Sequence, residues 1–166
     1  MLVADCYKEI GQSTITDSVW SLVDDGNEWI EHNSFLAKPI PMHIYLQDPL
    51  LAFLATKHVL LVGILMMQHY QVYNWHTDGN RRCGINLLLS ESPSHCFFTD
   101  NHTVVNSDVE ELFYKPSTYY AFNTDIHHMV VNLNKPRYLL SVEIDGGANT
   151  ISYQDLLKEL DEYANV

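Results

Sequence analysis

The period of the apolar positions changes along the chain and divides it into three parts. From Asp17 to Glu31 polar and apolar residues mix without a clean period, which predicts an irregular region with Trp20, Leu22, Val23, Trp29 and Ile30 as its buried positions. Asp48 followed by Pro49 and LLAFLATKH supplies an N-cap, a first-turn proline and an apolar run, and predicts a short helix ending near His58. Beyond it, runs of β-branched and aromatic residues alternate with the turn clusters DGNRR, SESPS, TDN and NKP. The predicted strands are Val59 to Tyr73, Gly84 to Leu89, Cys96 to Thr99, His102 to Val105, Glu111 to Tyr114, Thr118 to Asn123, Ile126 to Leu133 and Arg137 to Ile144. This many short strands predicts a mainly β chain, a sandwich or jelly roll with a few flanking helices. The tail closes it with a helix: Leu156, Leu157, Leu160 and Tyr163 follow helical spacing behind a Ser152 or Thr150 cap.

Composition narrows the function classes. A chain of 166 residues, 46% hydrophobic, is predicted to form a single domain over 1–166, with no linker or repeat dividing it. Nine Lys and Arg against 21 Asp and Glu give a net charge of -12, which repels phosphate backbones and argues against a nucleic-acid partner. Cys6, Cys83 and Cys96 share no CxxC spacing and read as buried thiols rather than disulfides or thiolate zinc ligands. The opening MLVADCYKEIG lacks the features of a signal peptide, and the apolar run from Val59 to Met67 is too short to cross a bilayer, so a cytoplasmic protein without a membrane partner is expected.

The candidate chemistry lies in two segments. In YNWHTDGNRRCGINLLL, His76 and Asp78 are two residues apart, so on an extended strand they emerge on one face. In AFNTDIHHMVVNLNKPRYLLSVEI, His127 or His128 is followed by an arginine that opens the next strand. Two imidazoles and one carboxylate bind a metal from one side and leave the opposite positions open, the arrangement that suits iron(II). A guanidinium fork matches a carboxylate with two parallel hydrogen bonds. On the last strand Arg137, Leu139 and Ser141 share a face opposite Tyr138, Leu140, Val142 and Ile144, so Arg137 looks into the barrel. The same parity favours His128 over His127, whose face with Met129, Val131 and Leu133 is the more apolar. Bland alternatives stand beside these: a hydrogen-bonded His–Asp pair, and a strand-edge Arg137 paired to Asp145 or Glu143. Arg81 and Arg82 fit the mouth of a site and solvated turn charges equally well.

His76, Asp78, His128 and Arg137 in this order resemble the 2-oxoglutarate/iron(II) dioxygenase superfamily, whose pattern is His-x-Asp, a distant His and an Arg about ten residues later. The resemblance covers about half the chain, from Leu65 to Ile144. HTD followed by RRCGIN is similar to small phage and marine bacterial members, and Tyr73 matches a tyrosine position of the prolyl hydroxylase branch, although that branch's Gly-rich approach to the first His is missing. The resemblance implies a double-stranded β-helix of cupin-like jelly-roll type and an enzyme that hydroxylates a small molecule or peptide with molecular oxygen. Its cofactors would be Fe(II), held by His76, Asp78 and His128, and 2-oxoglutarate, held by Arg137 with Tyr73, Asn86 and Ser141; ascorbate would serve as the reductant in vitro. A lid is expected at Ser90 to Ser94 or Asn27 to Lys38. The rivals are a cupin-type metal enzyme that does not use 2-oxoglutarate and a non-enzymatic jelly-roll binding module.

Overall fold

A computed structural model describes residues 3–91, 94–103, 107–144 and 151–165. In chain order the elements are α1 (Val3–Cys6), β1 (Tyr7–Gln12), α2 (Thr16–Trp20), β2 (Ile30–His32), β3 (Phe35–Pro39), α3 (Met42–Tyr45), α4 (Pro49–Ala55), β4 (Leu60–Met67), β5 (Val72–His76), β6 (Cys83–Leu88), β7 (Ser94–Thr99), β8 (Val109–Leu112), β9 (Thr118–Asn123), β10 (His127–Asn132), β11 (Arg137–Ile144) and α5 (Tyr153–Ala164). The strands form two antiparallel sheets, a seven-stranded one ordered β1-β9-β6-β11-β4-β3-β2 and a four-stranded one ordered β5-β10-β7-β8. This is a mainly β jelly roll, as the strand pattern predicted, and of the cupin-like type that the resemblance implied.

The two faces of the large sheet carry different cores. One face buries Val62, Ile64, Ile85, Leu87, Leu140, Val142 and Ile144 under Leu50, Leu51 and Leu54 of α4 and Leu156 and Leu160 of α5. The other turns toward the small sheet, where Met67, Cys96, Phe98, Tyr120, Phe122 and Val130 pack together. Period-two alternation along β4, β6 and β11 separates the two sets. Asp48 caps α4 as predicted, accepting from the Leu50 and Leu51 amides, and also accepts from the Thr14 amide at 2.9 Å, which ties α4 to the N-terminal strand region. Ser152 caps α5 by accepting from the Asp155 amide.

Several expectations need correction. The predicted strand from Val59 to Tyr73 is two strands in different sheets: Tyr70 takes a left-handed φ of 54°, and its amide donates to the Leu133 carbonyl at 2.8 Å, turning the chain a sharp corner. His102 is not in a strand; Thr103 donates its amide to Asn101 Oδ1 in a side-chain-stabilised turn, while Val104 and Val105 lie outside the described residues. The α4 helix stops at Ala55, and Thr56 to His58 continue as a turn. The region from Asp17 to Glu31 contains α2 and the start of β2, and Trp20 and Ile30 are exposed rather than buried. Strands β1, β2 and β3, which periodicity did not reveal, extend the large sheet at its two edges. Among the described residues no helix is long and apolar enough to cross a membrane.

Candidate metal centre

Strand β10 sits between β5 and β7 in the small sheet, and the register places His128 directly opposite His76. Asp78 lies just beyond the end of β5, in a turn held from the far side by Thr124: the Asp78 amide donates to the Thr124 carbonyl, and the Thr124 amide and hydroxyl donate to the Arg82 and Arg81 carbonyls. Backbone pairing therefore brings together two segments about fifty residues apart. One ligand atom from each of His76, Asp78 and His128 falls within 4.8 Å of the others, a group that could hold a metal ion.

The hydrogen bonds fix which atoms face the centre. His76 Nδ1 lies 2.6 Å from the Asn74 carbonyl and His128 Nδ1 lies 2.9 Å from the Ile126 carbonyl. A carbonyl only accepts, so each Nδ1 carries a proton and each ring turns its Nε2 edge inward. These Nε2 atoms lie 3.5 and 3.6 Å from the same Asp78 oxygen, Oδ1. The other oxygen, Oδ2, accepts from Arg81 Nε at 2.5 Å, and Arg81 Nη1 reaches Ser141 Oγ at 3.4 Å. Burial, with a further push from the His76 ring and against the hydrogen bond to Ile126, lowers His128 to about 4, so it is neutral and able to ligate near pH 7. Burial also raises the three thiols, Cys6 to about 11 and Cys83 and Cys96 to about 12, which keeps them protonated and out of metal chemistry, as their spacing implied.

The centre opens into a cavity of about 320 Å³ between the two sheets. All the sequence-predicted site residues line it: Tyr73, His76, Asp78, Asn86, His128, Arg137 and Ser141. His127 does not; it faces the other side of β10, with its ring 4.3 Å from that of His102. Arg137 is 2% exposed, lies over the Tyr114 ring and has an Nε without a hydrogen-bond partner. No carboxylate among the described residues pairs with it; of the two alternative partners, Glu143 lies six residues along the same strand and Asp145 lies outside the described residues. Burial raises the Tyr73 hydroxyl, and its ring packs 4.0 Å from that of His76.

Sequence reasoning left Arg81 between two roles and missed Thr124. Arg81 holds the Asp78 carboxylate, while Arg82 forms an exposed pair with Asp125. Nothing in the sequence marked Thr124, because its role is to bond a turn more than forty residues away. Of the two lid segments, Ser90 to Ser94 includes residues 92–93, outside the described set. Asn27 to Lys38 contains the β2–β3 hairpin, which lines the cavity and is paired to β4.

No protein-family model matches the sequence, and no curated protein matches it. Solved structures share its fold at low identity. A prolyl hydroxylase from Trichoplax adhaerens, in complex with a hypoxia inducible factor oxygen degradation domain peptide fragment, superposes with a TM-score of 0.62 and 12% identity over 95% of this chain and 87% of its own. A prolyl-4-hydroxylase from Pseudomonas putida gives 0.61 and 12% over 84% of this chain and 92% of its own. An oxidoreductase of the 2OG-Fe(II) oxygenase family from Burkholderia pseudomallei gives 0.57 and 10% over 81% of each chain. The chain therefore has the fold seen in structures of 2-oxoglutarate/iron(II) oxygenases, and it carries a His-Asp-His group able to hold a metal within that fold.

Proposed function

We propose that residues 1–166 form one oxygenase domain that uses iron(II) and 2-oxoglutarate to hydroxylate a small molecule or peptide. The observation that carries this is the pairing of two features in one cavity: three inward-facing ligand atoms, and a buried guanidinium with no carboxylate partner among the described residues. Two imidazoles and a carboxylate suit a divalent iron, and their placement on one side leaves room for other ligands. A buried donor such as Arg137 Nε is normally paired, and a carboxylate is the acceptor its charge and fork geometry favour. Asn86 Oδ1 is also buried without a partner. As an acceptor it needs a donor, or the amide turned over so that Nδ2 meets a carboxylate.

Iron bound here would supply the redox chemistry by which dioxygen oxidatively decarboxylates 2-oxoglutarate to succinate and CO2, with one oxygen atom going to the substrate. The residues' own work is positional. His76 and His128 keep Nε2 aimed inward through their Nδ1 bonds to the backbone. Arg81 engages Asp78 Oδ2 and leaves Oδ1 to the centre. Arg137 would orient the far carboxylate of 2-oxoglutarate, while Tyr73, Asn86 and Ser141, which line the same cavity nearer the metal ligands, would contact the rest of the co-substrate. Phe122, Val130 and Leu139 form apolar walls that restrict water.

The test is anaerobic. Iron(II) is titrated into the metal-free protein, followed by 2-oxoglutarate, and the charge-transfer absorption of the chelate is recorded; succinate release is then measured in air with ascorbate. Both signals are expected. Metal binding without 2-oxoglutarate binding would move the protein to the cupin-type enzymes, and absence of metal binding would leave a binding module.

A further inference from the structure

The cavity wall contributed by β11 is a single strand face, Arg137, Leu139, Ser141 and Glu143, and all four residues line the cavity. Exposure increases along it, from Arg137 at 2% and Ser141 at 7% to the half-buried Glu143. Arg137 therefore marks the closed end and Glu143 the mouth. The register partners of Glu143 are Leu61 on β4 and Gly84 on β6, with the Arg81 guanidinium packed over Gly84, and Gly63 lies next to Ser141. Leu61 and Ile30, 55% and 58% exposed, give this end an apolar rim.

Most charges lining the cavity are compensated. Lys38 pairs with Asp25 at 2.8 Å and donates also to the Leu22 and Val23 carbonyls. Arg81 pairs with Asp78. Among the described residues, Glu143 receives one 3.4 Å hydrogen bond from the Asn80 side-chain amide, and no cation pairs with it. Among the described residues, two charges are thus left without an ionic partner at opposite ends of one strand face. The inner one, Arg137, suits the carboxylate of the co-substrate; the outer one suits a cation. Arg81 bridges Asp78 to Ser141, so the metal ligands stand level with Ser141. Glu143 is one two-residue strand step further out, about 7 Å. That step matches about five bonds of an extended aliphatic stem. The net charge of -12 adds a long-range attraction for cationic ligands.

We propose that Glu143, steadied by Asn80 and flanked by Leu61 and Ile30, is a cation subsite that selects substrates carrying an ammonium or guanidinium group on a short aliphatic stem. Because it lies in the cavity of the oxygenase proposed above, the subsite rests on that reading. The stem and cation could belong to a free alkylamine or to a basic side chain of a peptide.

The test uses the full chain loaded with Zn(II), as a redox-inert metal, and 2-oxoglutarate. Four probes are titrated by calorimetry and saturation-transfer NMR: pentylammonium, N-acetyl-L-lysine methylamide, pentan-1-ol and pentanoate. The two cations are expected to bind, and the neutral and anionic probes to bind at least about fivefold more weakly, as for a half-exposed charge-assisted contact. Tighter binding of the lysine amide would assign the subsite to a peptide side chain; tighter binding of pentylammonium would assign it to a free amine. Glu143→Gln should weaken the cations about five- to tenfold, and Glu143→Lys should reverse the preference toward pentanoate, with unchanged melting temperatures establishing that both variants fold. Equal binding of pentylammonium and pentan-1-ol by the native protein, or unchanged cation affinity in Glu143→Gln, overturns the subsite. If the native protein binds neither Zn(II) nor 2-oxoglutarate but still distinguishes the probes through Glu143, the oxygenase reading fails and the subsite stands.

Discussion

Replacing Arg137 with Lys isolates the co-substrate role from the metal site. The charge is retained, but a lysine ammonium is a point donor and cannot form the two parallel bonds of a guanidinium fork. Arg137 is 2% exposed and its Nε has no partner among the described residues, so little of the lost contact can be recovered from water or from another residue. Hydrogen bonds to a charged group contribute about 1.5–3 kcal/mol, so 2-oxoglutarate should bind about ten- to 150-fold more weakly. Metal affinity should not change, because Arg137 is four residues along β11 from Ser141, about 13 Å from the level of the ligands. Calorimetry on the Zn(II)-loaded protein reads the affinity directly. Thermal unfolding gives a second readout: at 100 times the native Kd, the ligand stabilises the native protein by about 2.7 kcal/mol. With Kd raised about thirtyfold the same concentration contributes only about 0.9 kcal/mol. At about 2–4 °C per kcal/mol, the ligand-induced shift should shrink by about 4–7 °C. Unchanged affinity in the variant would refute the assignment of Arg137, and loss of both metal and 2-oxoglutarate would show a misfolded site instead.

The adjacent histidines form a matched pair: His128→Ala should abolish iron(II) binding, while His127→Ala, whose ring faces away from the cavity, should retain it, both read by metal titration. Without metal, the folded protein holds His128 neutral down to about 4, whereas in the unfolded chain it protonates near 6.5, so the unfolded state binds the extra proton between these values. Stability of the metal-free protein should therefore fall as pH drops from about 6.5 to 4, by at most about 1.4 kcal/mol per pH unit from this residue, and denaturant titrations of wild type and His128→Gln across that range should differ in slope. In Gly84→Ala the new Cβ would meet the Val142 carbonyl oxygen at 3.1 Å and Arg81 Nη1 at 3.3 Å. The variant should lose about 1–3 kcal/mol of stability and weaken metal binding through the displaced Arg81, measured by urea unfolding and metal titration.

Much of the site was legible in the sequence because strand geometry is local. Two-residue spacing places His76 and Asp78 near one another, and alternation along β11 assigns Arg137, Leu139 and Ser141 to one face before any partner strand is known. The choice of His128 over His127 followed from the same rule, and the register brings His128 opposite His76. Caps at Asp48 and Ser152 were equally local, since the side chain bonds amides two or three residues ahead. What the sequence could not contain was the result of long-range pairing. The corner at Tyr70 that splits one apolar run between two sheets depends on an acceptor at Leu133, and β1 and the β2–β3 hairpin are strands because the large sheet offers them free backbone groups at its two ends. Arg81 could be read equally as a solvated charge until the fold placed Asp78 Oδ2 and Ser141 Oγ beside it, and Thr124 acquires its role only from a turn held across the barrel. Local periodicity determines which face a residue occupies; tertiary pairing alone determines what that face meets.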